Sequence, residues 1–161
     1  MPMTMFVNRF PGIGPRETKT LVVVNHQGIP DGEYGFFEFY CDEAGCDCRR
    51  VIISVLCRET GTKIWATIGY GWESLAYYRQ RCPAVDTNTA KGPALDPLNP
   101  QSEYAPVLLE LFRGMLQSPD YVERLKRHYA MFRESTAQYA MLEANRAANR
   151  RKRLRDPRRR K

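Results

Sequence analysis

A chain of 161 residues has room for one domain with a sizeable core, and its 43% hydrophobic and 27% charged content excludes a disordered or fibrous protein. No apolar run exceeds the four residues of Leu21–Val24, and Met1–Phe6 has no basic segment leading into an apolar one. A membrane-spanning helix needs about 20 apolar residues, so a cytoplasmic protein without a secretory leader is expected.

In chain order, residues 1–18 carry Pro2, Pro11, Gly12, Gly14 and Pro15 and read as an irregular N-terminal arm. The β-branched run from Lys19 to Asn25 predicts a strand, followed by a turn-rich loop over 27–32. Residues 35–40 are aromatic apart from Gly35 and Glu38 and predict a second strand. From Arg50 to Cys57 most positions of both alternating sets are apolar, as in a central strand. Residues 59–62 make a tight connection to a fourth strand over 63–68. Four strands with short links predict an antiparallel meander.

The period then changes. Residues 72–81 predict a short helix. The stretch 83–100 contains four prolines and predicts no regular element, only an ordered strap or a binding loop. Leu108, Leu111, Phe112 and Met115 fall at helical spacing, with Pro106 tolerated in the first turn. Ser118-Pro119-Asp120 is a helix start signal, and Val122, Leu125, Tyr129 and Phe132 form the apolar stripe that follows. Beyond Phe132 the stripe thins to Tyr139 and Leu142, so the helix is expected to leave the body.

Charge is divided unevenly along the chain. Arg146–Lys161 holds ten basic residues and one acidic residue, a net of +9, which leaves −2 on the remainder. So dense a block of like charge reads as a solvated interaction arm that binds phosphate backbone without regard to sequence. Its residues Arg146, Arg150, Arg151, Lys152, Arg153, Arg155, Arg158, Arg159, Arg160 and Lys161 are the candidate nucleic-acid contacts. Arg49 and Arg50 are the candidates on the body, or else donors to nearby sulfurs. Phe36, Phe37, Phe39 and Tyr40 read as a strand buried between layers rather than as a base-stacking platform.

Three of five cysteines, Cys41, Cys46 and Cys48, lie within eight residues at the tip of a predicted hairpin, spaced C-x4-C-x-C around Gly45. Soft sulfur ligands on a tight loop suit zinc. An odd cysteine count in an intracellular chain argues against disulfides, and the spacing is one residue short of a plant-type iron–sulfur pattern. Cys57 lies nine residues beyond Cys48 along a strand, about 30 Å away, and reads as core. The favoured fourth ligand is His128, with Cys82 second.

Neither His26 nor His128 belongs to a metallohydrolase or deaminase motif, and no phosphate-cradling glycine loop follows a strand. Gly69-Tyr70-Gly71-Trp72 reads as a strand-to-helix bend, with close approach of a ligand as the alternative. The sequence therefore predicts an α+β domain over 19–142, an antiparallel sheet of about four strands with a zinc-binding hairpin tip and two or three C-terminal helices. A basic helical or disordered tail occupies 143–161. The expected function is a non-catalytic accessory protein holding Zn2+ and binding DNA or RNA together with a protein partner, away from membranes. The alternatives are a protein-interaction module or a metal- or cysteine-dependent enzyme.

Overall fold

The computed structural model describes residues 2–83 and 86–155, with side chains up to Arg151. Six antiparallel strands form one sheet. They are β1 (Met3–Met5), β2 (Lys19–Val23), β3 (Gly32–Cys41), β4 (Arg50–Cys57), β5 (Ile64–Gly71) and β6 (Ala94–Leu95). The order is β1-β3-β4-β5-β6, and β2 shares the outer edge of β3 with β1. β2 pairs with residues 32–36 of β3, and β1 with residues 39–41. The predicted meander is thus the centre of a larger sheet. Neither added strand shows a period of its own: β1 is three residues long and β6 two, so pairing rather than side-chain pattern creates them.

Six helices accompany the sheet: α1 (Phe6–Arg9), α2 (Gly14–Glu17), α3 (Leu75–Arg81), α4 (Thr87–Lys91), α5 (Ala105–Met115) and α6 (Pro119–Arg155). The N-terminal arm is therefore not irregular. It supplies β1 and two single turns of helix, and its Phe6 is 2% exposed. The proline-rich strap is also ordered. The Asp86 carboxylate accepts from Thr89 N at 2.9 Å to start α4. Gln101 then pairs with β5 like a strand residue, accepting from Thr67 N at 2.9 Å and donating to Thr67 O at 3.0 Å.

The alternation of β3 decides what each face does. Tyr34, Phe36 and Tyr40 face the core with Val51, Ile53 and Val55 of β4, under Leu108 and Phe112 of α5 and Leu125 and Phe132 of α6. Phe36 stacks on Phe112 at 6.2 Å, and Tyr40 meets Phe132 at 5.7 Å. Burial of each such side chain contributes about 1.5–3 kcal/mol. Phe37 and Phe39 point to the opposite face, where both are half-buried. α6 holds to this core through Thr136 and is exposed from residue 137 to Arg151. Among the described residues, no helix is long and apolar enough to cross a membrane.

Candidate metal centre

The loop over residues 42–49 joins β3 to β4, and it brings the Sγ atoms of Cys41, Cys46 and Cys48 within 4.8 Å of one another. Two sulfurs 2.3 Å from a tetrahedral zinc stand about 3.8 Å apart, so a group within 4.8 Å could close on one ion. Cys41 ends β3, where it pairs with Met3. Two left-handed residues curl the chain, Gly45 at φ 75° between Cys41 and Cys46 and Arg49 at φ 45° between Cys48 and β4.

Side chains from three helices and β1 hold that curl. Both Asp42 oxygens accept from Arg9 Nη2, at 2.7 and 2.9 Å, and the carboxylate also accepts from the hydroxyls of Thr4 at 3.0 Å and Thr136 at 3.2 Å. Arg133 donates to the carbonyls of Cys41 at 3.1 Å and Glu43 at 3.0 Å. The Tyr77 hydroxyl donates to the Asp47 carbonyl. Tyr129 donates to the Asp47 carboxylate at 3.2 Å and accepts from Arg49 N at 3.3 Å. The sulfurs therefore sit on a loop whose backbone is held from both sides.

Burial pushes the Cys41 thiol up, and it pushes Cys48 up to about 12, helped by the adjacent sulfurs of Cys46 and Cys41. Three thiolates at this spacing would need the positive charge of a bound cation, so the group could hold a metal ion. All five cysteines are free thiols, and Cys41 and Cys48 are buried while Cys46 is half-buried.

His128 does not join the cluster, which corrects the favoured fourth ligand. Its ring is 1% exposed and both its nitrogens face carboxylates: Nδ1 lies 2.6 Å from Glu38 Oε2 and Nε2 lies 2.6 Å from Glu17 Oε2. The ring stacks on Phe6 at 4.0 Å and 12°. Both ring nitrogens are thus taken up by carboxylate oxygens, and neither is directed at the sulfurs. Tyr129, Arg133 and Thr136 face the cysteine loop; His128, one residue back along α6, is turned about 100° toward the N-terminal segment. The second choice, Cys82, lines a cavity with two of the three sulfurs, although its own Sγ is not within 4.8 Å of all three. A cavity of about 430 Å³ is lined by Cys46, Cys48 and Cys82 together with Glu43, Asp47 and Arg81. Cys82 stands at the end of α3, half-buried beside this cavity.

Cys57 sits at the far end of β4, opposite Tyr34, and donates to Glu59 at 3.0 Å. His26 lies in the β2–β3 loop, accepting from Gly28 N at 3.0 Å. The body arginines are both engaged. Arg49 pairs with Asp47 at 3.0 Å and Glu73 at 3.1 Å, and its guanidinium lies 5.1 Å from the centre of the Tyr77 ring. Arg50 crosses Gly69 to donate to Thr89 O at 3.4 Å. Both guanidinium groups thus have partners in the scaffold, and the Arg49 side chain stays 42% exposed. In the tail, Arg146, Arg150 and Arg151 are exposed on α6. Lys152, Arg153 and Arg155 continue its backbone, while Arg158, Arg159, Arg160 and Lys161 lie outside the described residues.

The Glu17–His128–Glu38 cluster is what sequence reasoning missed. Its one signal was Glu38, the lone acid among the aromatic residues 35–40, which is 4% exposed and also accepts from Tyr40 Oη at 2.7 Å. Comparison with protein-family models, with curated proteins and with solved structures finds no match.

Proposed function

We propose that this chain is a non-catalytic, zinc-containing accessory protein that grips nucleic-acid backbone through the basic end of α6 while its body docks a protein partner. The observation that carries the reading is the continuity of α6. One helix of 37 residues is buried at its start and exposed from residue 137, and its exposed part bears the arginines. From residue 140 to Arg155 it reaches about 24 Å, enough to lay several cations along a phosphate backbone. Zinc is held by Cys41, Cys46 and Cys48, with Cys82 closing the tetrahedron from the shared cavity. Three sulfurs leave one position open, and a fourth makes the site structural.

The test pairs metal content with a salt titration. Purified protein is expected to hold one zinc per chain, lost in Cys46→Ser, weakened in Cys82→Ser and retained in Cys57→Ala. Iron with inorganic sulfide, or no metal, overturns the centre. If the tail engages six to ten phosphates, affinity for random RNA and DNA falls about 10³–10⁵-fold between 50 and 200 mM salt. Replacing Arg146, Arg150, Arg151, Lys152, Arg153 and Arg155 by Gln is expected to remove most of that slope. An unchanged slope refutes the tail as the binding element. Binding to an acidic protein in place of nucleic acid supports the interaction-module reading.

A further inference from the structure

The Gly69-Tyr70-Gly71-Trp72 motif, which the cysteine centre and the tail leave unused, opens onto a cavity of its own. Its volume is about 360 Å³, and it lies between the end of β5, the turn from α4 to β6, and the end of α5. Tyr70 and Trp72 form one wall, Lys91 and Pro93 a second, and Arg113 a third. Pockets of this size with aromatic walls and a few polar groups are the usual dimensions of small-ligand sites.

The two rings are fixed from behind. Tyr70 meets Phe112 edge-on at 6.1 Å, Trp72 meets Tyr129 edge-on at 5.3 Å, and the two lie 6.4 Å apart at 59°. Both remain half-buried, so part of each ring is open to a ligand. Gly71, between them, carries no side chain because the Tyr78 hydroxyl packs against its other side. The strand end is thereby held flat under the rings.

Charge in the cavity has one sign. Its lining includes Lys91 and Arg113 and no carboxylate. The Lys91 ammonium donates to the Glu73 carbonyl at 2.6 Å, and among the described residues it makes no ion pair. Arg113 pairs with Glu110 and reaches the Pro93 carbonyl at 3.4 Å. A flat aromatic ligand carrying an anionic group satisfies both features: its ring stacks on one of Tyr70 and Trp72 and meets the other at an angle, and its phosphate lies on Lys91 and Arg113.

We propose that this cavity binds a nucleoside phosphate, its base against Tyr70 and Trp72 and its phosphate on Lys91 and Arg113. The ligand is either a free nucleotide or the phosphorylated end of a single strand. The proposal does not depend on the basic tail, since the cavity lies at the start of α6 and the tail at its other end, about 40 Å along the helix.

The experiment follows the two tryptophan indole N–H signals of the full-length chain by NMR while AMP, adenosine, inorganic phosphate, and a ten-nucleotide RNA with or without a 5′-phosphate are added. Trp72 lines the cavity; Trp65 is buried against Tyr104 and serves as the internal control. AMP is expected to shift Trp72 and not Trp65, with adenosine and phosphate each at least tenfold weaker. Arg113→Glu, at an exposed position, is expected to weaken AMP about tenfold with no change in Tm, and Lys91→Glu to weaken it by a similar factor. Tighter binding of the 5′-phosphorylated RNA than of AMP assigns the site to strand ends; the reverse assigns it to free nucleotide. The tail-neutralised chain must bind AMP as the natural chain does, whatever happens to its salt-dependent RNA affinity. No Trp72 shift, equal shifts of both tryptophans, or unchanged AMP affinity in Arg113→Glu overturns the proposal.

Discussion

The two parts of α6 share one backbone geometry and have different reasons to be helical. Between residues 119 and 136 the helix buries Tyr121, Leu125, His128, Tyr129, Phe132 and Thr136 against the sheet and the N-terminal segment. From residue 137 to Arg151 every residue is exposed, including Tyr139 at 57%, Met141 at 68% and Leu142 at 53%. Tertiary contacts hold the first part. Beyond the contact of the Arg9 guanidinium with the Tyr139 ring at 4.9 Å, the second part relies on the intrinsic propensity of its Ala, Leu, Glu and Arg residues against the repulsion of its own arginines. An isolated stretch of this length is marginal in water, so continuity with the anchored part supplies its nucleus.

Truncating the stripe in each part breaks this comparison most directly. Phe132→Ala is expected to cost about 3–5 kcal/mol in denaturant unfolding, because a fully buried ring leaves a cavity under Tyr40 and Phe10. Leu142→Ala is expected to change stability by no more than about 0.5 kcal/mol. Comparable losses at the two positions would show that the far part of α6 packs against something.

Next in size is the polar anchor of the first part. His128→Leu removes the partner of Glu38, a buried carboxylate whose second oxygen has no hydrogen bond among the described residues. The expected loss is about 3 kcal/mol, at the low end for a broken buried pair because Tyr40 still donates to Glu38. Zinc content is expected to stay unchanged, since His128 does not face the cysteines. Loss of zinc without loss of stability would reinstate His128 as a ligand.

Glycine scanning separates anchorage from propensity. Ala130 and Ala147 are both exposed on α6. Ala130→Gly is expected to lower global stability by about 1 kcal/mol. Ala147→Gly is expected to leave the unfolding midpoint alone and to reduce only far-ultraviolet helicity and amide protection beyond residue 140. Added polynucleotide should restore that helicity, as phosphates neutralise the arginines.

The smallest expected effect is a pH dependence at the start of α6. The hydrogen bond from His128, ahead of that from Arg127, holds Glu17 below its ordinary value of 4.5 despite partial burial. A carboxylate depressed in the folded state contributes stability above its unfolded pKa and loses it as pH falls through the folded one. Acidification from about pH 5 downward is therefore expected to loosen the N-terminal segment first. Arg124 also holds the Glu17 carbonyl at 2.8 Å, so the loosening is partial. Hydrogen exchange at residues 6–18 is the measurement. Glu17→Gln should flatten its pH dependence, and an identical acid response in that variant would place the sensitivity elsewhere.

Local pattern alone determined the elements whose side chains bury themselves. β4 begins and ends where the apolar run from Arg50 to Cys57 does, α5 takes Pro106 in its first turn, and α6 starts at Pro119. The clustering of Cys41, Cys46 and Cys48 was equally legible, because eight residues at a hairpin tip cannot separate three sulfurs far. Only the tertiary structure decided where the partners of these elements come from. β1 and β6 exist because β3 and β5 offer unpaired edges, not because three or two residues prefer to be extended. The setting of His128 was decided by Phe6 and Glu17, more than a hundred positions away and in a segment whose prolines and glycines mask its role. Spacing along one chain sets which face of a helix a residue occupies; which segment folds against that face depends on long-range packing that no local period records.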